Sequence, residues 1–430
     1  MTKSLKVSIA VLVVLVLIFL FLAVLFITKN TSFLNFNISR QEVDANNQNS
    51  QVESDTSNVL FAQQIVVPDS NKVGVFAAPQ TLNLPQAFTI SVWAAGLNAP
   101  RQIDFTNENN IVVAERGADS IKFIKQSQDG TLGLETITID SNLDNVHSVD
   151  YYSGDLYVGE ESRIVVYRDL TEDGTYTNKE VLIDNLPQGG HWSRTVKVGP
   201  DNKLYITVGS SCNLCEEADG RRAAMLTANL DGSNLQPYAT GLRNTVDFVF
   251  KSTPVDFKIW GVDNGRDLIG DDLPPDEVNI ISQGLNYGWP YCYGQGINNP
   301  EYPERSGYCK TETEIPAFNL QAHSAALGLT FLVNDDLTQK VKFPQQIFKD
   351  DLFIAFHGSW NRTIPTGYKV VRVNTSKPAG KEINFITGWL NDQGQVWGRP
   401  VDVKFDKNGD LYITDDYAGA IYKVQYSPLR

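Results

Sequence analysis

The chain has 430 residues, 42% of them hydrophobic and 10% aromatic, enough to bury a sizeable core in two ordinary domains or in one large all-β domain. A formal net charge of −14 sets it against nucleic-acid backbones, and no basic stripe offsets that repulsion, so DNA and RNA are excluded as partners. Heptads are absent and short β-branched or aromatic runs are frequent, so the expected class is all-β.

From Val7 to Ile27 every residue is apolar except Ser8, and such a run spans about 30 Å as a helix, the thickness of a bilayer core. A single-pass membrane helix is predicted, with residues 1–29 as anchor. Lys3 and Lys6 precede it and place the N-terminus in the cytoplasm, although Lys29 weakens the asymmetry. A cleaved signal peptide is the alternative, but no A-x-A site or lipobox cysteine follows the run. Either way the remainder lies on the extracytoplasmic side. Residues 30–80 are rich in Asn, Gln, Ser and Asp, too polar to offset chain entropy, and read as a disordered linker.

Over 81–430 one pattern recurs: NNIVVAERG (109–117), GDLYVGEES (154–162), NKLYITVGSS (202–211), FKIWGVDNG (257–265), DDLFIAFHG (350–358) and GDLYITDDY (409–417). Each is a short apolar strand after a polar turn, and most recur about every 45 to 60 residues, the spacing of four-stranded propeller blades. Six copies predict a six-bladed β-propeller. The long gap before Leu352 is read as an insertion, with a seventh, degenerate blade as the alternative. The four cysteines fall in the exported part, where disulfides are the default, most simply Cys212–Cys215 and Cys292–Cys309. A zinc site is the rival and needs the two pairs to converge.

Upstream of each repeat stands a cation-capable side chain: Arg101, His147, His191, Arg243 beside Asn244, His323 and Arg399. In a propeller these positions converge on one end of the axis. Three of the four histidines are in this ring, and the fourth, His357, sits at a repeat exit near the same end. A ring of His and Arg suits a compact anionic ligand.

The stretches HWSRTVKVGPDNKLYITVGSSCNLC, GLRNTVDFVF, DNGRDLIGDDLPPDEVN with NYGWPYCYG, AFHGSWNRTIPTGYKVVRV and WGRPVDVKFDKNGDLYITDDYAGAIYKV resemble the soluble glucose dehydrogenase and L-sorbosone dehydrogenase family, from about Leu82 to the C-terminus. That family uses pyrroloquinoline quinone (PQQ) on a six-bladed propeller. The resemblance implies that His191 takes the C1 hydroxyl proton of a sugar while hydride passes to the quinone, and that Arg243 stabilises the charge developing on it. It implies cofactor contacts at Arg243, Asn244, Arg399 and Asp415. Arg362 is the residue able to replace the charge of a family lysine, and Arg101, His147 and His323 complete the ring. It also implies Ca²⁺ on the backbone carbonyls of Gly265 and Arg266, with Asp267, Asp271, Asp272 and Asp276 as carboxylate ligands or as a solvated acidic loop.

Two departures stand out. Where glucose-oxidising members have aspartates around the base, this chain has Gly190 and Ser210, which moves the expectation toward the sorbosone-type branch. No C-x-x-C-H haem motif occurs, since Glu216 follows Cys215, so electrons are expected to leave to an external acceptor such as a cytochrome or quinone. The rival functions are a calcium-dependent propeller lactonase, which calls for converging Glu, Asn and Asp side chains, and a non-catalytic binding module.

Overall fold

The polar turn that opens four of the six repeats has a conformational cause. Asn109, Gly154, Asn202 and Gly409 all have positive φ, +68°, +93°, +59° and +78°, which Asn and Gly tolerate best. Each turn reverses the chain from a first strand into the apolar repeat, so the repeats are the second strands of antiparallel sheets. The first strands are Pro100–Phe105, Ser148–Tyr152, Val196–Val198, Thr245–Ser252, Ala326–Phe331 and Pro400–Phe405. Two more strands complete each sheet, giving six four-stranded blades.

The computed structural model describes residues 58–252, 256–305, 307–332, 343–377 and 380–427. The expected membrane helix and residues 30–57 of the expected linker lie outside the described residues. Among the described residues no helix is long and apolar enough to cross a membrane.

Each blade is covered on both faces, which is why a strand such as Ile111–Glu115 is buried throughout and reads as a continuous apolar run rather than an alternating one. Six buried clusters fill the spaces between neighbouring blades; Val112, Ala114 and Phe123 of the first meet Val149, Leu156 and Val165 of the second in one of them. The ring closes because Phe88–Ala95, from before the first blade, pairs antiparallel with the last strand, Ala420–Tyr426. The ordered body starts earlier than expected. Leu60–Gln64 pairs with Thr81–Pro85, and Ile65 and Phe76 are buried in the core, so residues 58–80 belong to the propeller and not to a linker.

The long gap holds an insertion, as expected: a hairpin of Cys292–Tyr293 with Ile297–Asn298, a short helix Tyr308–Thr311, and then the outer strand Phe318–Leu320. No seventh four-stranded sheet occurs among the described residues. Both cysteine pairs form the expected disulfides, which excludes zinc on four thiolates.

Along the axis the first strands are stitched to one another by acids that the sequence reading passed over. Asp402 accepts from Ile103 N (3.0 Å), Asp104 from Tyr151 N (2.8 Å), Asp150 from Val198 N (2.9 Å) and Asp247 from Leu329 N (3.4 Å), each bond crossing to the next blade. Between the third and fourth blades Lys197 Nζ donates to Phe248 O at 2.6 Å and pairs with Asp247 at 2.7 Å. Between the fifth and sixth, Gly328 lies so close to Asp402 that a Cβ there would stand 2.5 Å from its carboxylate. Burial raises Asp402 to about 7 and Asp150 to about 6, the neighbouring carboxylates adding to the effect. Val246, Leu327 and Val401 form an apolar plug in the axis. Asp247→Ala strands the Lys197 ammonium and the Leu329 amide, and should lower unfolding free energy by roughly 3–5 kcal/mol. Chemical denaturation measures this; an unchanged midpoint contradicts a stitching role.

Candidate active site

Because the first strands all run the same way along the axis, the residues that enter them meet at one end. There a cavity of about 230 Å³ is lined by His191, Arg243, Asn244, His323, His357 and Arg399, together with Asn264, Gly265, Asp267, Asp276, Trp360 and Asn361. A larger cavity, about 440 Å³, opens at the other end among Asp150, Lys197, Asp402 and Lys404. Asp402 and Asp150 accept from backbone amides there, Lys197 pairs with Asp247 and Lys404 with Asp104 (2.6 Å). The smaller cavity has the chemically reactive groups, and it is the candidate site.

His191 is fixed in one tautomer. Its Nδ1 lies 2.9 Å from the carbonyl oxygen of Ser210, which can only accept, so Nδ1 carries the proton and Nε2 keeps the lone pair. The Ser210 hydroxyl, also 2.9 Å from Nδ1, directs its own hydrogen to Cys212 O and so accepts as well. Burial, then the positive charge of Arg243, lowers the imidazole to about 4, which keeps it neutral at ordinary pH. Ser210 thus orients the imidazole through both its carbonyl and its hydroxyl oxygen. Gly209 permits this packing: a Cβ there would lie 2.5 Å from His191 Cβ and 2.8 Å from Asn244 Oδ1.

Arg243 is 6% exposed and faces the Trp289 ring at 5.3 Å. Its Nη1 donates to Asn264 O and Gly265 O, both at 3.0 Å. Arg399 donates to His357 O (3.2 Å) and Gly358 O (3.1 Å). His323 Nε2 donates to Gly270 O and Leu273 O at 2.8 and 3.0 Å. Asp267 accepts from Asn361 Nδ2 (2.7 Å), 3.8 Å from Arg243 Nη2. Asp276 accepts from Gly265 N (2.9 Å) and Ala326 N (3.4 Å), and burial raises it to about 6.

Other expected residues stand outside this cavity wall. Asp415 caps the turn at the end of its strand, accepting from the backbone amides of Arg399, Tyr417 and Ala418 and from the Tyr422 hydroxyl. Its neighbour Asp416 instead pairs with His357 (2.8 Å) and Arg101 (2.9 Å). Burial opposes ionisation of Asp416, but His357, Arg101 and Arg399 outweigh it and hold the carboxyl well below the usual range. Arg101 is turned to Asp416 and the Trp192 ring, and also donates to His147 Nδ1 at 3.4 Å. His147 is buried behind it, burial pushing its imidazole well below the ordinary value. Arg362 bonds Ala322 O and Asp272, Asp271 accepts from Thr363 N, and these contacts zip two surface loops together instead of facing the cavity. The Arg266 side chain leaves for Glu301 and Asn299.

The donor set fits an anionic cofactor with a hard cation. Arg243 and Arg399 bring two guanidinium groups to one cavity, suited to carboxylates. The oxygens on this wall that could hold a cation are the Gly265 carbonyl and the Asp267 and Asp276 carboxylates. In addition, the Oδ1 atoms of Asn244 and Asn361 are buried without a hydrogen-bond partner. Orphaned acceptors of this kind await a donor hydroxyl or a cation.

Several known proteins are similar to this chain in sequence and fold. The family described as TrAA12-like matches residues 82–427. An uncharacterized protein of Borreliella burgdorferi is 30% identical over 81% of the chain and 92% of its own length. A pyrroloquinoline quinone-dependent pyranose dehydrogenase of Coprinopsis cinerea is 23% identical over 81% of the chain, which matches 55% of that enzyme's length. Among solved structures, the holo PQQ domain of the Coprinopsis cinerea pyranose dehydrogenase superposes with a TM-score of 0.70 at 20% identity, covering 84% of this chain and all of that one. A calcium structure of the Trichoderma reesei family AA12 enzyme gives 0.65 at 22% identity, covering 80% and 96%. From the extent of the family match and the Borreliella relative, the chain belongs to the TrAA12-like family.

Proposed function

We propose that the chain is a PQQ- and Ca²⁺-dependent dehydrogenase that oxidises C1 of an aldose or sorbosone-like sugar and passes the electrons to an external acceptor. One observation carries the reading: a neutral histidine with its lone pair on Nε2 shares a cavity with two guanidinium groups. The name of the Coprinopsis relative supports the cofactor and the sugar class, and the name of the Trichoderma structure supports calcium. The apolar run Val7–Ile27 supports an anchored, extracytoplasmic location.

When bound, PQQ supplies an ortho-quinone that accepts hydride, and a cation on it acts as a Lewis acid. The chain's residues do the rest. His191 Nε2 takes the proton of the C1 hydroxyl, and the imidazolium that forms is held by its Nδ1–H bond to Ser210. Arg243 and Arg399, now on backbone carbonyls, would hold an anionic cofactor and stabilise the negative charge that hydride transfer adds to it. The Gly265 carbonyl, which now accepts from Arg243 Nη1, would be the backbone oxygen offered to a cation. The lactonase reading requires a glutamate among its ligands, and none lines this cavity.

With the full chain, PQQ titration in the presence of Ca²⁺ should give saturable dye reduction on a panel of aldoses. Bound PQQ with no sugar-dependent reduction across the panel contradicts the reading. His191→Ala should lower turnover roughly 10²–10⁴-fold while PQQ affinity stays close to wild type; wild-type turnover in that variant removes His191 as the base. In the cofactor-free chain, ¹⁵N NMR should show the Nδ1–H tautomer at neutral pH and protonation of His191 only as pH falls to about 4. Arg243→Ala should move that midpoint upward, because one of the charges opposing protonation is gone. A wild-type midpoint at the ordinary histidine value, about 6.5, contradicts the burial argument.

A further inference from the structure

Only Asn213 and Leu214 separate the two cysteines of the Cys212–Cys215 disulfide. Asn213 does not line the cavity, yet it bonds two residues that do. Its backbone oxygen accepts from Arg243 Nε (3.2 Å) and its Oδ1 accepts from Arg243 Nη2 (3.0 Å). The same Oδ1 accepts from Asp267 N (2.8 Å), and Nδ2 donates to Asp267 O (3.2 Å). One residue therefore supplies both acceptors for one edge of the guanidinium and ties the backbone of the acidic loop to it. On the upstream side, Cys212 O receives the Ser210 hydroxyl that orients His191.

A guanidinium is planar, with its donors in a rigid fork, so fixing the Nε and Nη2 edge fixes the direction in which Nη1 points. The Nη1 edge is the one that meets Asn264 O and Gly265 O at the cavity. An asparagine on an open loop presents its backbone and side-chain oxygens independently. Inside a four-residue ring closed by a disulfide the two are presented together, as a matched pair of acceptors.

We propose that Asn213, held by the Cys212–Cys215 disulfide, is a positioning residue that sets the orientation of Arg243 and the path of the Gly265–Asp267 backbone. This rests on the dehydrogenase reading for its effect on turnover, but not for its effect on Arg243 itself. Asn213→Ala removes the side-chain acceptor and donor. Asn213→Asp keeps the oxygen that Arg243 and the Asp267 amide use, and replaces the donor to Asp267 O by a second, negatively charged oxygen.

Two measurements on the full chain test this. In the PQQ-loaded protein, Asn213→Ala should lower kcat roughly 10–100-fold with the sugar KM little changed, and Asn213→Asp should recover most of the loss. In the cofactor-free protein, modification of Arg243 by phenylglyoxal, followed by peptide mapping, should be faster in Asn213→Ala than in wild type or Asn213→Asp. Mild reduction that opens Cys212–Cys215 and leaves the more buried Cys292–Cys309 intact should raise Arg243 reactivity in the wild-type chain as well. Equal Arg243 reactivity in wild type, Asn213→Ala and the reduced chain overturns the proposal, and if Asn213→Ala does not fold, the reduced chain decides alone. A wild-type chain that oxidises no sugar while Arg243 still responds overturns the function and leaves the positioning role standing.

Discussion

Everything at the candidate site depends on closure of the ring by one strand pairing, Phe88–Ala95 on Ala420–Tyr426. A propeller blade has two apolar faces and cannot bury either without neighbours, so an open arc of six would leave two faces and one sheet edge in water. Borrowing the outermost strand of the last blade from the N-terminal side removes that edge. It also holds the first strands of all six blades around one axis. Only then do Arg243 and Arg399, separated by over a third of the chain, stand in one cavity.

Closure also sets the electrostatics. The two ends of the axis are lined by opposite preferences: acids stitched to backbone amides and lysines at one end, guanidinium and imidazole groups at the other. Gathering like charges is unfavourable, and the structure offsets it locally. Asp416 accepts His357 and Arg101, while Arg243 and Arg399 lie on backbone carbonyls, which are dipoles and not full charges. Positive charge is thereby retained in the cavity at low reorganisation cost, the arrangement expected where an anion binds and where negative charge grows in a transition state.

The sequence made the blades legible because in four of the six the second strand follows a turn with a positive-φ Asn or Gly, a requirement that leaves a mark on residue type. The ring of cations was legible for a related reason, since each precedes such a strand at the same stage. What stayed hidden is what side-chain direction or backbone contact decides. Asp415 and Asp416 are adjacent and alike in sequence, yet the end of the strand turns the first into a cap and only the second toward the cations. That Gly265 O is engaged by Arg243 leaves no trace in residue type, and the role of Asn213 appears only when a residue 30 positions away folds onto it. The scattered apolar residues of 58–80 looked too sparse for a core, but Ile65 and Phe76 join one that the fifth and sixth blades had already built.

The most direct test of the account is a crystal structure of the chain soaked with PQQ and Ca²⁺. The account predicts the cofactor in the cavity at the His191 end of the axis, its carboxylates on the Arg243 and Arg399 guanidinium groups and His191 Nε2 facing open space above the quinone. Density for the cofactor at any other place, or Arg243 and Arg399 still on their backbone carbonyls beside a bound quinone, contradicts it.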